Sequence, residues 1–343
     1  MLKEMKYLRY PISIQTFEKI IEGKYAYVDK TDLVYDLAQE NVCFLSRPRR
    51  FGKSLLISTL EAYFTGRKEL FEGLKIDSLE TKWEKYPVFR IDFAGGDYTV
   101  TDELQRKLDK YLGNWEKIYG KDELCCTFAD RFQHVLEVAE EKTGHKAVVL
   151  IDEYDKPMLD VLGTDLEEKN RNILKGFYGT FKSADANLRF VLLTGVTKFS
   201  QISVFSGFNQ PNDISMNSKF DAICGITEEE LHDCFAEPIL EMADRMECTK
   251  DEVKEMLKKQ YDGYHFSQKM LDIYNPFSLI NAFNSMDIEN YWYRSGTPTY
   301  LVKLLEGHSV NMQKLTSKAY ESQYFVDYRA DSEDPLAMLY QSG

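Results

Sequence analysis

Three short stretches carry residues whose types and order suit work on a phosphate chain. The segment Phe44 to Leu56, FLSRPRRFGKSLL, ends in Gly52-Lys53-Ser54, and the apolar run KAVVLIDEYD ends in Asp152-Glu153 about 100 residues later. A loop that opens directly into a helix presents backbone N–H groups and a helix N-terminus to an anion. Lys53 would then reach the β and γ phosphates, and Ser54 would ligate Mg2+. An acid at the end of a buried strand, Asp152, would hold the metal side, usually through water. Glu153 would orient or deprotonate the attacking water, the step that separates hydrolysis from binding. The third stretch, RFVLLTG, ends in Thr194, placed to sense the γ-phosphate in P-loop folds of the additional-strand type, with Thr197 and Lys198 just beyond. Each stretch has a plainer reading: a basic turn, a solvated strand end, a threonine that merely ends a strand. Their order and spacing together favour a P-loop nucleoside triphosphatase.

The loop departs from the usual pattern. Arg47 stands where such loops carry their first glycine, and Pro48 follows it. Arginine adopts positive φ less cheaply than glycine, and proline removes an amide donor, so the first half of the loop must hold phosphate differently. Arg49 and Arg50 offer side-chain cations in compensation. Candidates for an arginine that neutralises the γ-phosphate are Arg171, Arg189, Arg245 and Arg294, with Arg294 preferred because it lies in an aromatic stretch that a lid could deliver. Asp92, after VFRI, is a further acid for the same sheet edge, weighed against a solvated strand end. His265 in YDGYHF reads more simply as a packing histidine than as a nucleotide contact. YAYVDKT, preceding the loop, is either part of a base pocket or a packing turn.

The elements that must position these residues alternate. NVCFL reads as a strand, KSLLISTLEAYF as a helix with Leu56, Leu60 and Phe64 on one face, and YPVFRID as a strand stopped by two glycines. Residues 102 to 142 are charged and mostly helical. AVVLID is a continuous apolar run, as in a strand buried on both faces of a parallel sheet. A helix around KNRNILKGFYGTFKS leads to LRFVLLTG, and FDAICGI is a candidate fifth strand. The pattern predicts an α/β fold: a P-loop parallel sheet of the additional-strand type flanked by helices over residues 1–225, with a smaller helical, lid-like domain over 226–330. In the latter, Thr227 and Glu230 form a capping box, and Asn275 caps a helix with Pro276 at its first position. Residues 331–343, which include DPLAMLYQSG, read as the start of a truncated C-terminal segment.

The chain has 343 residues, 43 % hydrophobic, enough to bury a sizeable core in about two domains. A formal net charge of -13 argues against a broad nucleic-acid or anionic-membrane surface. The six cysteines follow no metal-ligand spacing and read as reduced packing residues. No signal peptide or membrane-spanning stretch is evident, so the expectation is a cytoplasmic protein.

Taken in order, YPISIQTFEKI, YAYVDKT, SRPRRFGKSLL, VVLIDEYDKP, LTGVTKFSQISVFSGFNQPNDIS, YDGYHF, YNPFSLINAF and YWYRSGTPTYL resemble the bacterial AAA-ATPase-like family across nearly the whole chain. RPRRFGKS looks like that family's own version of the loop, so the missing glycine does not by itself imply a dead site. The resemblance implies a nuclease-like domain of the PD-(D/E)XK type beyond Gly343, which is where any contact with nucleic acid would lie. The reading is therefore an Mg2+-dependent ATPase, slow until a protein partner or an oligomer completes the site. A nucleotide-gated binding switch with little turnover, or a P-loop kinase, are the alternatives.

Overall fold

A computed structural model describes residues 9–197 and 211–291. Two short helices, α1 (Phe17–Glu22) and α2 (Thr31–Leu37), precede strand β1 (Val42–Ser46) and helix α3 (Lys53–Phe64). Strand β2 (Val88–Asp92), helices α4 (Glu103–Tyr119) and α5 (Phe128–Thr143), and strand β3 (Ala147–Asp152) follow. After the single-turn α6 (Lys156–Leu159) come helix α7 (Leu166–Ser183), strand β4 (Leu188–Gly195) and the two-residue strand β5 (Asn212–Asp213). The remainder comprises β6 (Ile226–Thr227), α8 (Glu228–Cys234), α9 (Ala236–Arg245), α10 (Lys250–Tyr261), β7 (Ile273–Tyr274) and α11 (Pro276–Ser285).

The five strands β1 to β5 form one sheet in the order β2-β3-β4-β1-β5, every pair parallel. Strand β4 is thus inserted between the strand that enters the loop and the strand that ends in Asp152, the additional-strand arrangement the sequence suggests. Register sets Asp92 beside Asp152 and Leu45 beside Thr194, which brings the C-terminal ends of β2, β3, β4 and β1 to one edge of the sheet. That edge is where parallel sheets bind ligands, because the helix N-termini and the connecting loops converge there.

The candidate fifth strand FDAICGI is not the fifth strand. The amides of Phe220 and Ile223 are spent locally, on the carbonyls of Asn217 and Phe220, so these residues turn rather than extend. Ile226 alone of this stretch enters a strand, β6, which pairs antiparallel with β7 in a separate two-stranded ribbon. The fifth place is taken by Asn212 and Asp213, whose polar character gives no strand signal.

The described residues fall into two compact units. One contains 40–48, 84–197 and 211–213, and holds the five-stranded sheet. Every residue of β3 is buried, as its apolar run requires. Val149, Ile151, Val191 and Leu193 share a core with Phe132, Val135 and Leu136 of α5 and with Leu174, Phe177 and Phe181 of α7. The rings of Phe132 and Phe177 stack at 5.1 Å. Helices α4 and α5 are also tied by Arg131, which grips Glu116 with two N–H donors at 2.6 and 3.0 Å.

The other unit contains 9–39, 49–83 and 214–291. Its helices start where their side chains can satisfy free amides: Thr227 with Glu230 and Thr249 with Glu252 form capping boxes, and Asn275 accepts from the Ser278 amide. Leu231, Ile239, Met242, Val253, Leu257, Leu279 and Phe283 form its apolar centre. No helix among the described residues is long and apolar enough to cross a membrane.

Candidate functional site

The first half of the loop is an extension of the sheet. The Arg47 amide donates to the Gly195 carbonyl at 3.2 Å, continuing the β1–β4 ladder by one residue, and the Ser46 hydroxyl donates to the Val196 carbonyl. The Arg47 guanidinium is 1 % exposed and donates to the Ser46 carbonyl at 2.9 Å. Arg47 does not have positive φ; the left-handed positions of the loop are Arg50 (φ 68°) and Gly52 (φ 93°). The loop therefore needs no glycine at position 47, because its reversal is made further on.

The second half belongs to the other compact unit. Arg49 and Arg50 are exposed, and the Arg50 guanidinium lies over the Phe277 ring at 4.9 Å. Phe51 is buried and is gripped edge-on by Tyr264 at 4.7 Å and Phe266 at 5.5 Å, while its carbonyl accepts from the Gly225 amide. Gly52 caps α3, so that Lys53 is the first helical residue and Ser54 the second; Lys53 is 7 % exposed. This is a loop whose backbone points into a helix N-terminus, the geometry that suits an anion. Phe51, which no sequence argument singled out, is the residue that fixes the loop to YDGYHF. The aromatic density of that stretch was the available signal.

At the strand ends the structure brings two of the expected residues into contact. The Thr194 hydroxyl donates to Oδ1 of Asp152 at 2.7 Å, and the Glu153 amide donates to the same oxygen at 3.1 Å. Both Asp152 and Thr194 are buried. The second carboxylate oxygen of Asp152 accepts no hydrogen bond among the described residues. Glu153 is half-buried and has φ 51°, a left-handed conformation unusual for a residue with a side chain. Asp92 turns back to accept from the Ala94 amide at 2.7 Å. Lys107 of α4 faces this acidic edge. Burial lowers its pKa, opposed by the charges of Asp92, Glu103 and Glu153.

Asp155, which the sequence reading passed over, is 2 % exposed and accepts three hydrogen bonds on Oδ2: from the Val196 amide, the Thr197 amide and the Thr197 hydroxyl, at 2.8 to 2.9 Å. One acid among the 56 carries no distinguishing pattern in sequence.

Other candidates lie elsewhere. Arg171 pairs with Glu167 one turn away on α7, Arg189 donates to the Glu40 carbonyl, and Arg245 is exposed at the end of α9. His265 bonds Asp272 at 2.9 Å, and Asp272 is held below the usual carboxylate range by Lys258 first and His265 second. In YAYVDKT, Lys30 grips both carboxylate oxygens of Glu230, and Asp29 caps Thr31 and accepts from the Lys75 amide. Lys198 and Arg294 lie outside the described residues. No cluster of three or more His, Cys, Asp or Glu that could hold a metal occurs among the described residues. A magnesium ion bound with a nucleotide needs no such cage: one carboxylate, one hydroxyl, water and the phosphates suffice.

With this geometry in place, comparison with known proteins is decisive at the level of family. The family described as Predicted AAA-ATPase matches residues 11–205, from before α1 to beyond β4. The chain belongs to that family. It is also 40 % identical over 301 residues to an uncharacterised protein from the vnfD 5′ region of Azotobacter chroococcum mcd 1. That alignment covers 86 % of this chain and 55 % of the relative, so the chain spans little more than half the length of the curated relative it matches. Family membership makes the chain AAA-ATPase-like in class.

Proposed function

We propose that the chain binds ATP with Mg2+ and hydrolyses the β–γ bond by in-line attack of water. The observation that carries this reading is the Asp152 carboxylate: buried at the end of β3, with one oxygen saturated by Thr194 and the Glu153 amide and the other left for a ligand. Buried polar atoms pair with protein or with ordered water, and a metal ion or one of its waters would pair this oxygen.

In this reading Gly52 and the first turn of α3 offer amides to the phosphates, and Arg49, Arg50 and Lys53 supply positive charge. Ser54 and Asp152 would hold Mg2+, which would supply charge neutralisation on the phosphates. Glu153 takes or orients the proton of the attacking water, and Thr194, whose one hydroxyl proton goes to Asp152, would sense the γ-phosphate through that carboxylate. Arg171 and Arg189 are engaged with Glu167 and Glu40, so the last cation is proposed to come from Arg294, a protein partner or a second copy. Turnover of the isolated chain would then be slow, with charge neutralisation and positioning as the sources of rate.

Binding of ATP in Mg2+ is measured on the wild type and Lys53→Ala, and single-turnover phosphate release on the wild type and Glu153→Gln. Loss of binding in the first variant, and retained binding with loss of release in the second, supports hydrolysis. Equal phosphate release by the wild type and Glu153→Gln would refute it. Binding without release in either protein would favour a nucleotide-gated switch.

A further inference from the structure

The turn after β3 and the segment after β4 are stapled together at a matching interval. Asp152 and Asp155 lie three residues apart, as do Thr194 and Thr197, and each aspartate accepts from its threonine: Asp152 from Thr194 at 2.7 Å, Asp155 from Thr197 at 2.9 Å. Between these pairs Tyr154 adds two more bonds, its amide to the Thr194 carbonyl at 3.0 Å and its hydroxyl to the Thr197 carbonyl at 2.8 Å. Asp152, Tyr154 and Asp155 are all buried. Glu153, half-buried in their midst, has the left-handed backbone, φ 51°. Such a conformation costs a residue with a Cβ roughly 1–2 kcal/mol and persists where neighbours over-determine it.

Gly195 makes the close approach feasible. A Cβ there would lie 2.5 Å from a Tyr154 ring carbon and 2.8 Å from Oδ1 of Asp155. The second staple is thus a close-packed device and not a chance surface contact. Asp155 also ends the turn, because the amides of Met158 and Leu159 return to its carbonyl and start α6.

We propose that Asp155 is a positioning residue: by pinning the backbone to Val196 and Thr197 it locks Glu153 in the left-handed conformation that aims its carboxylate. The catalytic half of this inference rests on the ATPase reading of Glu153; the conformational half does not. The first arm compares steady-state ATP hydrolysis and ATP affinity in Asp155→Ala and Asp155→Asn. A misplaced base lowers kcat by about 10-fold or more while binding stays within about 3-fold, as expected for a group that acts on geometry. Asparagine keeps an oxygen for the same three donors and restores turnover to within about 3-fold of wild type. A wild-type kcat in Asp155→Ala, with Glu153→Gln inactive, overturns the inference and leaves the ATPase reading standing.

The second arm needs no catalysis. Glu153→Gly removes the cost of positive φ, so the fall in Tm caused by Asp155→Ala is read in both backgrounds. If the pin holds residue 153, the fall grows by ~2 °C or more in the glycine background, because with glutamate the loss of the pin lets residue 153 relax and recover the cost of positive φ. Equal falls overturn the inference whatever the enzyme assay gives. Asp155→Ser, a shorter acceptor, carries the same comparison if the alanine variant does not fold.

Discussion

Replacing Thr194 by valine tests whether a hydrogen bond holds the acid at the end of β3. Thr194 is fully buried, its hydroxyl is 2.7 Å from Oδ1 of Asp152, and that oxygen has one other donor, the Glu153 amide. Valine has the same shape, so no cavity forms and the cost is electrostatic. A hydrogen bond to a charged group contributes about 1.5–3 kcal/mol, and a buried carboxylate deprived of it has no water to turn to. The expected loss is about 2 kcal/mol, or ~4–8 °C in Tm for a unit of this size. Thr194→Ser supplies the control. It keeps the hydroxyl and deletes one methyl, costing about 1 kcal/mol. Thermal unfolding by circular dichroism, with phosphate release measured alongside, should rank the three proteins wild type, serine, valine in both stability and turnover. A valine variant at least as stable as the serine one would show that packing and not the hydrogen bond fixes Asp152, and the argument for its oriented free oxygen would fail with it.

Phe51→Ala empties the site between Tyr264 and Phe266 and should cost ~3–5 kcal/mol, a large fraction of a typical domain's stability, with weaker ATP binding in any folded fraction; urea denaturation alongside a binding titration checks both. Two glycines should respond to alanine for different reasons. At Gly52 a Cβ meets nothing within 4 Å, so the cost is that of φ 93° alone, about 1–2 kcal/mol, whereas at Gly195 the side chain collides with Tyr154 and Asp155 and the loss should be larger; denaturant midpoints of the two variants decide. Burial first, and Glu40 second, push the Cys43 thiol up to about 12. At pH 8 an alkylating reagent should label exposed Cys126 and spare Cys43 until the protein unfolds. Because the unfolded thiol ionises near pH 8.5–9 and the native one does not, this group should lower stability as pH rises from there toward 12.

Much of the sheet was legible because apolar runs such as AVVLID and LRFVLLTG have one explanation in a chain of this length, and the acids and threonine that end them fall at the sheet edge. Pattern fails where pairing is brief: β5 is two polar residues held by register alone, while FDAICGI is apolar yet spends its amides in turns. The catalytic candidates were marked by position. Their supports were not. Asp155 and Phe51 act through contacts with residues about 40 and more than 200 positions away in the chain, Thr197 and Tyr264, and no local spacing encodes such pairs. Arg47 shows what spacing leaves open: the loop reverses at Arg50 and Gly52, so the position that lacks glycine does not need one.

The inserted position of β4 bears on how the chain acquires its loop. Val42 pairs with Val191 and Cys43 with Asn212, so both neighbours of β1 are made long after it. At ribosomal rates of about 5–20 residues per second, the roughly 170 residues separating Ser46 from Asp213 take about 10–30 s to emerge. For most of that interval, until β4 has been made, the apolar segment Cys43, Phe44 and Leu45 lacks a partner for either edge, the kind of segment chaperones retain and aggregates recruit. A nascent chain arrested between α3 and β4 would carry every residue of RPRRFGKS and lack the strand to which Arg47 is bonded.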